Sequence, residues 1–444
     1  MRRTLLIGLA AALTVVLAAF GIWQVKPNVA QADGSKNKAP EFKVDASWPK
    51  ALPNHWQIGQ VPGVSLDRDD NVWIVQRPHT LTNDERGASA FDAPPAAPAG
   101  TPRLLNGDPR PQGSISDCCF PAPSVMQFSP KGDLLRAWGG PADPDKCVET
   151  PGNEATTCQW PNSEHGIYVD HNDNVWLGGQ GGGSVLKFSK NGTFLLQIGR
   201  RTPPVRDNDL TTGGVNGTPL LAQPADLEGD AAANEIYIAD GYTNNRVIVV
   251  DATTGMYKRH WGAYGRNPVG NVAPPTYIKD QAPSPNFANP VHAIKITDDG
   301  LVYVADRVND RIQVFDKKKV GDPCVPNGEV PNNCGFLGEI FIAADTLGPG
   351  STWDIDVSPD KRQKFLYNAD GSNNYIWTLL RKSGQILDRF GRNGRNAGQF
   401  HWVHNMAVDS NGNMYTAEVD TAKRVQKFEQ KGKAKKDKHD DDDD

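Results

Sequence analysis

The chain has 444 residues, of which 38% are hydrophobic and 22% charged, and its formal net charge is −5. That length holds one large domain beside a targeting segment. The mildly acidic balance offers no basic surface and so excludes an electrostatic nucleic-acid binder.

Met-Arg-Arg opens the chain, residues 4–23 run apolar from Thr4 to Trp23, and Ala30-Gln-Ala32 supplies a small-residue cleavage site. A cleaved secretory signal and an uncleaved membrane anchor both fit residues 1–32, because about 20 apolar residues can also span a bilayer. Either reading places the remainder outside the cytoplasm, periplasmic or secreted. Six cysteines in an exported chain are most simply three disulfides. Cys147/Cys158 and Cys324/Cys334 each bracket a short insertion and are expected to pair locally, whereas the adjacent Cys118 and Cys119 either form a vicinal bridge or stay reduced. The absence of a CxxC pair argues against a four-cysteine zinc site.

Residues 33–58 read as a leader containing one strand, Phe42–Asp45, followed by an irregular segment, 48–53, packing on the surface. From Gly59 onward a short phrase recurs six times. It begins at Pro62, His165, Ala225, His292, Trp353 and His404, and is followed by a turn and a second strand such as Val-Trp-Ile-Val or Val-Tyr-Val-Ala. Alternation of period two bounded by Asn, Asp and Gly marks half-buried antiparallel strands. Repeats of that unit predict an all-β array. The repeats fall near 59–140, 159–200, 222–263, 287–343, 350–391 and 399–428. Four strands in each predict a six-bladed β-propeller over 59–430, with a long Pro/Ala/Gly-rich insertion at 79–117 in the first blade. The sixth repeat is one strand short, so Phe42–Asp45 is expected to supply its outer strand and close the ring. Residues 431–444, lysines followed by aspartates, read as a disordered tail.

The first position of the phrase holds histidine in copies two, four and six. In a closed ring, alternate blades stand about 120° apart, so His165, His292 and His404 converge on the axis. Three imidazoles with an open fourth position form the ligand set of a Lewis-acid zinc; the competing reading is a polar channel lined by histidine. Arg77, Tyr242 and Arg307 each follow the second strand of a blade and are expected on the same face. A phenol and two guanidiniums there suit proton abstraction with binding of a carboxylate or developing oxyanion.

The repeats resemble NHL-type propellers, and more closely the peptidyl-α-hydroxyglycine α-amidating lyase domain. The resemblance rests on Gly63-Val-Ser-Leu-Asp with Arg77, His165-Gly-Ile, Gln223-Pro-Ala-Asp with Asp240-Gly-Tyr-Thr-Asn-Asn-Arg, Pro290-Val-His292 with Ala-Asp-Arg307, and Val403-His404. It implies zinc on His165, His292 and His404, Tyr242 as the base and Arg77 and Arg307 as clamps. The implied reaction cleaves the C–N bond of an α-hydroxyglycine unit of a peptide or small molecule, releasing an amide and glyoxylate. It also implies a structural calcium at Asn405 and the carbonyls of Val64 and Ile167, weakened because asparagine stands where the family has aspartate. Trp402 stands where the family has methionine. A calcium-dependent lactonase and a non-catalytic extracytoplasmic binding scaffold are the alternative functions, and a monomer is expected.

Overall fold

The computed structural model describes residues 24–25, 38–89, 116–140, 147, 158–180, 182–201, 211–268, 277–321 and 334–432. The apolar run 4–23, most of the 79–117 insertion, Cys324 and the charged tail from 433 lie outside the described residues.

Six four-stranded antiparallel sheets form the blades of the expected ring. From the inside outward, blade one is Gln60–Leu66, Val72–Arg77, Val125–Phe128 and Leu134–Trp138. Blade two is Glu164–Val169, Val175–Gly179, Gly183–Phe188 and Phe194–Arg200. Blade three is Asp226–Asp230, Glu235–Asp240, Arg246–Asp251 and Tyr257–Trp261. Blade four is Val291–Ile296, Leu301–Asp306, Arg311–Asp316 and Phe336–Phe341, with Gln24–Val25 added in parallel at its outer edge. Blade five is Asp354–Val357, Phe365–Asp370, Tyr375–Leu380 and Gln385–Phe390. Blade six supplies only Val403–Val408, Met414–Glu418 and Arg424–Gln430 from its own repeat. Phe42–Asp45 pairs antiparallel with Lys427–Gln430 as its fourth strand, so an N-terminal strand closes the last blade.

The first hairpin of several blades is set by one aspartate. Asp170 accepts from the N–H groups of Asn172 and Asn174, both at 2.9 Å, and its second oxygen takes the Trp176 indole N–H at 3.0 Å. Asp67 does the same with Asp69, Asn71 and the Trp73 indole. Asp409 repeats the pattern with Asn411 and Asn413. A side chain that mimics a backbone turn fixes the hairpin register and, through the indole, aims a tryptophan into the seam between blades. Trp73 and Trp176 are both fully buried there.

Segment 48–53 is irregular, as expected, but its tryptophan does not lie on the surface. Trp48 is buried between Phe128 of blade one and Tyr415 of blade six, with ring centroids 5.7 and 5.0 Å away. It thus packs across the seam that Phe42–Asp45 closes. Cys147 and Cys158 are bonded as expected, Cys118 and Cys119 form the vicinal bridge, and Cys334 is also in a disulfide. Among the described residues no helix is long and apolar enough to cross a membrane.

Candidate metal centre

Each of the three histidines occupies an irregularity in its inner strand. In blade four Val291 pairs with Asp306 and Ala293 with the adjacent Ala305, leaving His292 as the extra residue. His404 is extra in the same way between Val403 and Asn405, and the shift at Glu164–Ile167 spans His165. A bulge turns one side chain out of the alternation and re-aims it, here toward the axis. Blades three and five, with Ala225 and Trp353 at the corresponding position, keep regular inner registers.

The result is a buried cluster whose ligand atoms all lie within 4.8 Å of one another. The three ring centroids are 4.7 to 5.1 Å apart. Every Nδ1 is tied to a backbone carbonyl of the next blade. His165 donates to Ala225 at 2.6 Å, His404 to Pro62 at 2.7 Å, and His292 to Trp353. These acceptors are the residues that stand at the histidine position in blades three, five and one. A proton held on Nδ1 leaves each Nε2 with its lone pair free, the tautomer a metal requires. Burial holds all three pKa values well below the ordinary histidine value, aided by Arg307 at each ring, by Arg77 at His165 and His404, and by neighbouring imidazoles at His165 and His292, so the rings are neutral.

The turns after the second strands carry the other predicted residues. Asp240 anchors one by accepting from Ala222 N–H at 2.7 Å, Asn244 Nδ2 at 2.8 Å and Arg246 Nε at 3.0 Å. Asp306 anchors its counterpart through Ala288, Asn309 and Arg311. A Cβ on Gly241 would sit 1.9 Å from the Val291 carbonyl, so only glycine lets the blade-three turn lie against blade four. These constraints deliver the Tyr242 hydroxyl to 2.9 Å from His165 Nε2 and 3.1 Å from His292 Nε2. Arg307 Nη1 donates to that hydroxyl at 3.2 Å, and its guanidinium lies 4.4 Å over the Trp353 ring.

Arg77 stands on the opposite side, on blade one. Its Nε donates to the Glu164 carbonyl at 2.6 Å and its Nη1 to Gln60 Oε1 at 3.1 Å. Burial draws its pKa down, while Tyr242 and Glu164 act in the other direction. Arg77 Nη2 and Arg307 Nε are both buried without a hydrogen-bond partner. Two orphaned charged donors beside neutral imidazoles are costly unless an acceptor arrives. All six residues expected at the site are therefore brought to one place.

Val64, Ile167 and Asn405 line a different space, a cavity of about 130 Å³ on the inner strands. Asn405 Oδ1 already accepts the Val64 N–H at 2.7 Å. The cavity holds its own cation, Lys295, 3.1 Å from Asp356 and 3.4 Å from Glu228. Burial raises Asp226 to about 6 and Glu228 to about 7. Besides Asn405 and the expected carbonyls of Val64 and Ile167, the space is lined by the carboxylates of Asp226, Glu228, Asp354 and Asp356, with the Lys295 ammonium among them.

Several residues of this region are absent from the sequence-based set. Trp353 supplies both the carbonyl for His292 and the platform for Arg307, and Glu164 accepts from Ser124 and the Trp160 indole. The charges Asp226, Glu228, Lys295, Asp354 and Asp356 share one face of inner strands; period-two alternation within the repeated phrase is the signal that could have found them.

Fold and site together define a β-propeller with an axial three-histidine centre. No family model matches the chain. Among curated proteins it is 26% identical over 397 residues to the peptidyl-glycine alpha-amidating monooxygenase B of Xenopus laevis, covering 88% of this chain and 36% of the relative. It is 27% identical over 284 residues to the peptidyl-alpha-hydroxyglycine alpha-amidating lyase 1 of Drosophila melanogaster, covering 61% and 45%. It is 29% identical over 208 residues to human NHL repeat-containing protein 3, covering 44% and 46%. The chain thus spans less than half the length of each of these relatives. The chain is a six-bladed β-propeller similar to NHL-type and amidating-lyase proteins.

Proposed function

We propose that the protein is an extracytoplasmic zinc-dependent lyase acting on an α-hydroxyglycine unit. The observation that carries this reading is the Tyr242 hydroxyl held within 3.1 Å of two histidine Nε2 atoms, with Arg307 donating to it. The donor set fits zinc: three neutral nitrogens and an open position. His165, His292 and His404 would hold the ion, which supplies Lewis acidity toward an oxygen of the substrate.

The chain's own residues then have distinct tasks. The orphaned donors of Arg77 and Arg307 bind the substrate carboxylate, which satisfies them and orients the adjoining carbon. Tyr242, as its phenolate, takes the proton of the α-hydroxyl and returns it to the nitrogen as the C–N bond breaks. As the C–O bond becomes a carbonyl, the C–N bond breaks, its electron pair passes to nitrogen, and nitrogen takes up a proton. The products are a primary amide and glyoxylate. Burial of the histidines at the axis keeps bulk water from the collapsing carbinolamine. Disulfides among the described cysteines support an oxidising compartment.

The test is glyoxylate release from a peptide ending in α-hydroxyglycine, with zinc-loaded protein. Stoichiometric glyoxylate and amide support the proposal. Bound zinc without turnover on peptide or small N-acyl substrates would leave a scaffold propeller whose metal ties blades together.

A further inference from the structure

Trp402 is the one aromatic among the exposed large apolar side chains of the described residues, at 38% exposure, and it lies two residues from the ligand His404. Its backbone is left-handed, with φ of 52°. A bulky residue in that region is rare and persists only where its surroundings hold it. Here the Trp402 N–H donates to buried Asn374 Oδ1 at 2.9 Å, and its carbonyl accepts from Val419 at 3.2 Å. The hold leaves the indole edge-on against Trp353, with centroids 5.2 Å apart. Trp353 in turn lies 5.8 Å from the His292 ring and 5.6 Å from the His404 ring, and beneath the Arg307 guanidinium. Its own indole is pinned to the Gly350 carbonyl at 2.8 Å. A Cβ on Gly371 would meet the Trp353 ring at 2.6 Å, so the neighbouring turn admits no side chain there.

An apolar wall of two fixed indoles therefore runs from the metal centre to solvent, beginning at a guanidinium that has an unused N–H. Among the described residues the Trp402 indole has no polar partner, and the residue is 38% exposed. We propose that Trp402 is a specificity-determining residue, forming with Trp353 a subsite for a flat apolar acyl group attached to the nitrogen of the substrate. The substrate class is then an N-aroyl or similarly hydrophobic N-acyl α-hydroxyglycine, its carboxylate on the arginines and its acyl group on the indoles. This inference rests on the proposed lyase reading for the hydroxyl, but on the arginines and tryptophans alone for binding.

The test uses zinc-loaded full-length protein and two unreactive ligands that lack the hydroxyl, N-benzoylglycine and N-acetylglycine, titrated by calorimetry. Ring stacking and the added apolar burial predict that the benzoyl compound binds at least about tenfold tighter. Trp402→Ala should abolish that difference, and Trp402→Phe should keep most of it, which a merely structural tryptophan would not do; thermal melting checks that both variants fold. Equal affinities in the natural protein, a preference that survives in Trp402→Ala, or no binding of either ligand would each overturn the subsite. Glyoxylate release from N-benzoyl-α-hydroxyglycine is measured separately. Intact benzoyl preference without turnover would refute the reaction while leaving the subsite standing.

Discussion

The Nδ1–H of His404 donates to the carbonyl oxygen of Pro62 at 2.7 Å, across the seam where the last blade meets the first. The same bond joins His165 to Ala225 and His292 to Trp353, so each histidine is oriented by the blade that lacks one. One contact, repeated three times round the ring, orients all three axial histidines.

That contact separates metal binding from folding. In His292→Ala the Trp353 carbonyl loses a donor and a small cavity opens, at a cost of about 1–3 kcal/mol, set against a ring held mainly by blade interfaces. The variant is expected to fold, with a melting temperature lowered by a few degrees and bound zinc nearly absent by elemental analysis. Global unfolding would instead mark the histidines as structural.

Tyr242→Phe removes the hydroxyl between His165 and His292 but leaves both Nδ1 anchors in place. The metal should remain, and kcat should fall by roughly 10²–10⁴ as expected for loss of a proton acceptor. Single-turnover assays beside metal analysis check both halves of the statement.

Ring closure depends on Phe42, which stacks on Phe390 at 5.0 Å and meets Tyr367 edge-on at 5.8 Å. Phe42→Ala should destabilise the propeller by roughly 2 kcal/mol, less than for a fully buried phenylalanine because the ring is partly exposed. Urea unfolding should show an earlier midpoint with an unchanged slope. Loss of Trp48, buried at the seam between blades six and one, should cost more.

Asp310 gives the stability a pH dependence. It accepts from Ser351 N–H at 2.7 Å, while its second oxygen is buried without a partner, and burial raises its pKa to about 8. The folded state therefore holds a proton that the unfolded chain releases near the usual carboxylate value of about 4. Its stabilising contribution is full below that value and is lost as pH rises through about 8. Asp310→Asn, which suits the left-handed backbone at φ 54°, should flatten the fall in melting temperature between pH 5 and pH 8 and melt higher than the natural protein at pH 8.

Much of this was legible in the residues. The blade count followed from the recurring hairpins, whose turns in blades one, two and six are fixed by an aspartate at the same place. The triad followed from histidine at alternate copies of one position, because six-fold closure converts that spacing into convergence. Trp48 was misjudged as superficial: its flanking prolines mark irregular backbone, and nothing local shows that a seam lies beneath it. The bulges that aim the histidines were also hidden, since an extra residue in a strand shows only against its partner. The part Trp353 plays is not visible in the phrase, because both its carbonyl and its ring act on residues of other repeats.

Zinc content of the purified protein, measured by elemental analysis after resupply and compared with a His165/His292/His404 triple alanine variant, tests the central claim most directly. The account predicts about one zinc per chain, and none in the variant. A protein that takes up no transition metal, or a variant that retains it, would contradict the axial centre.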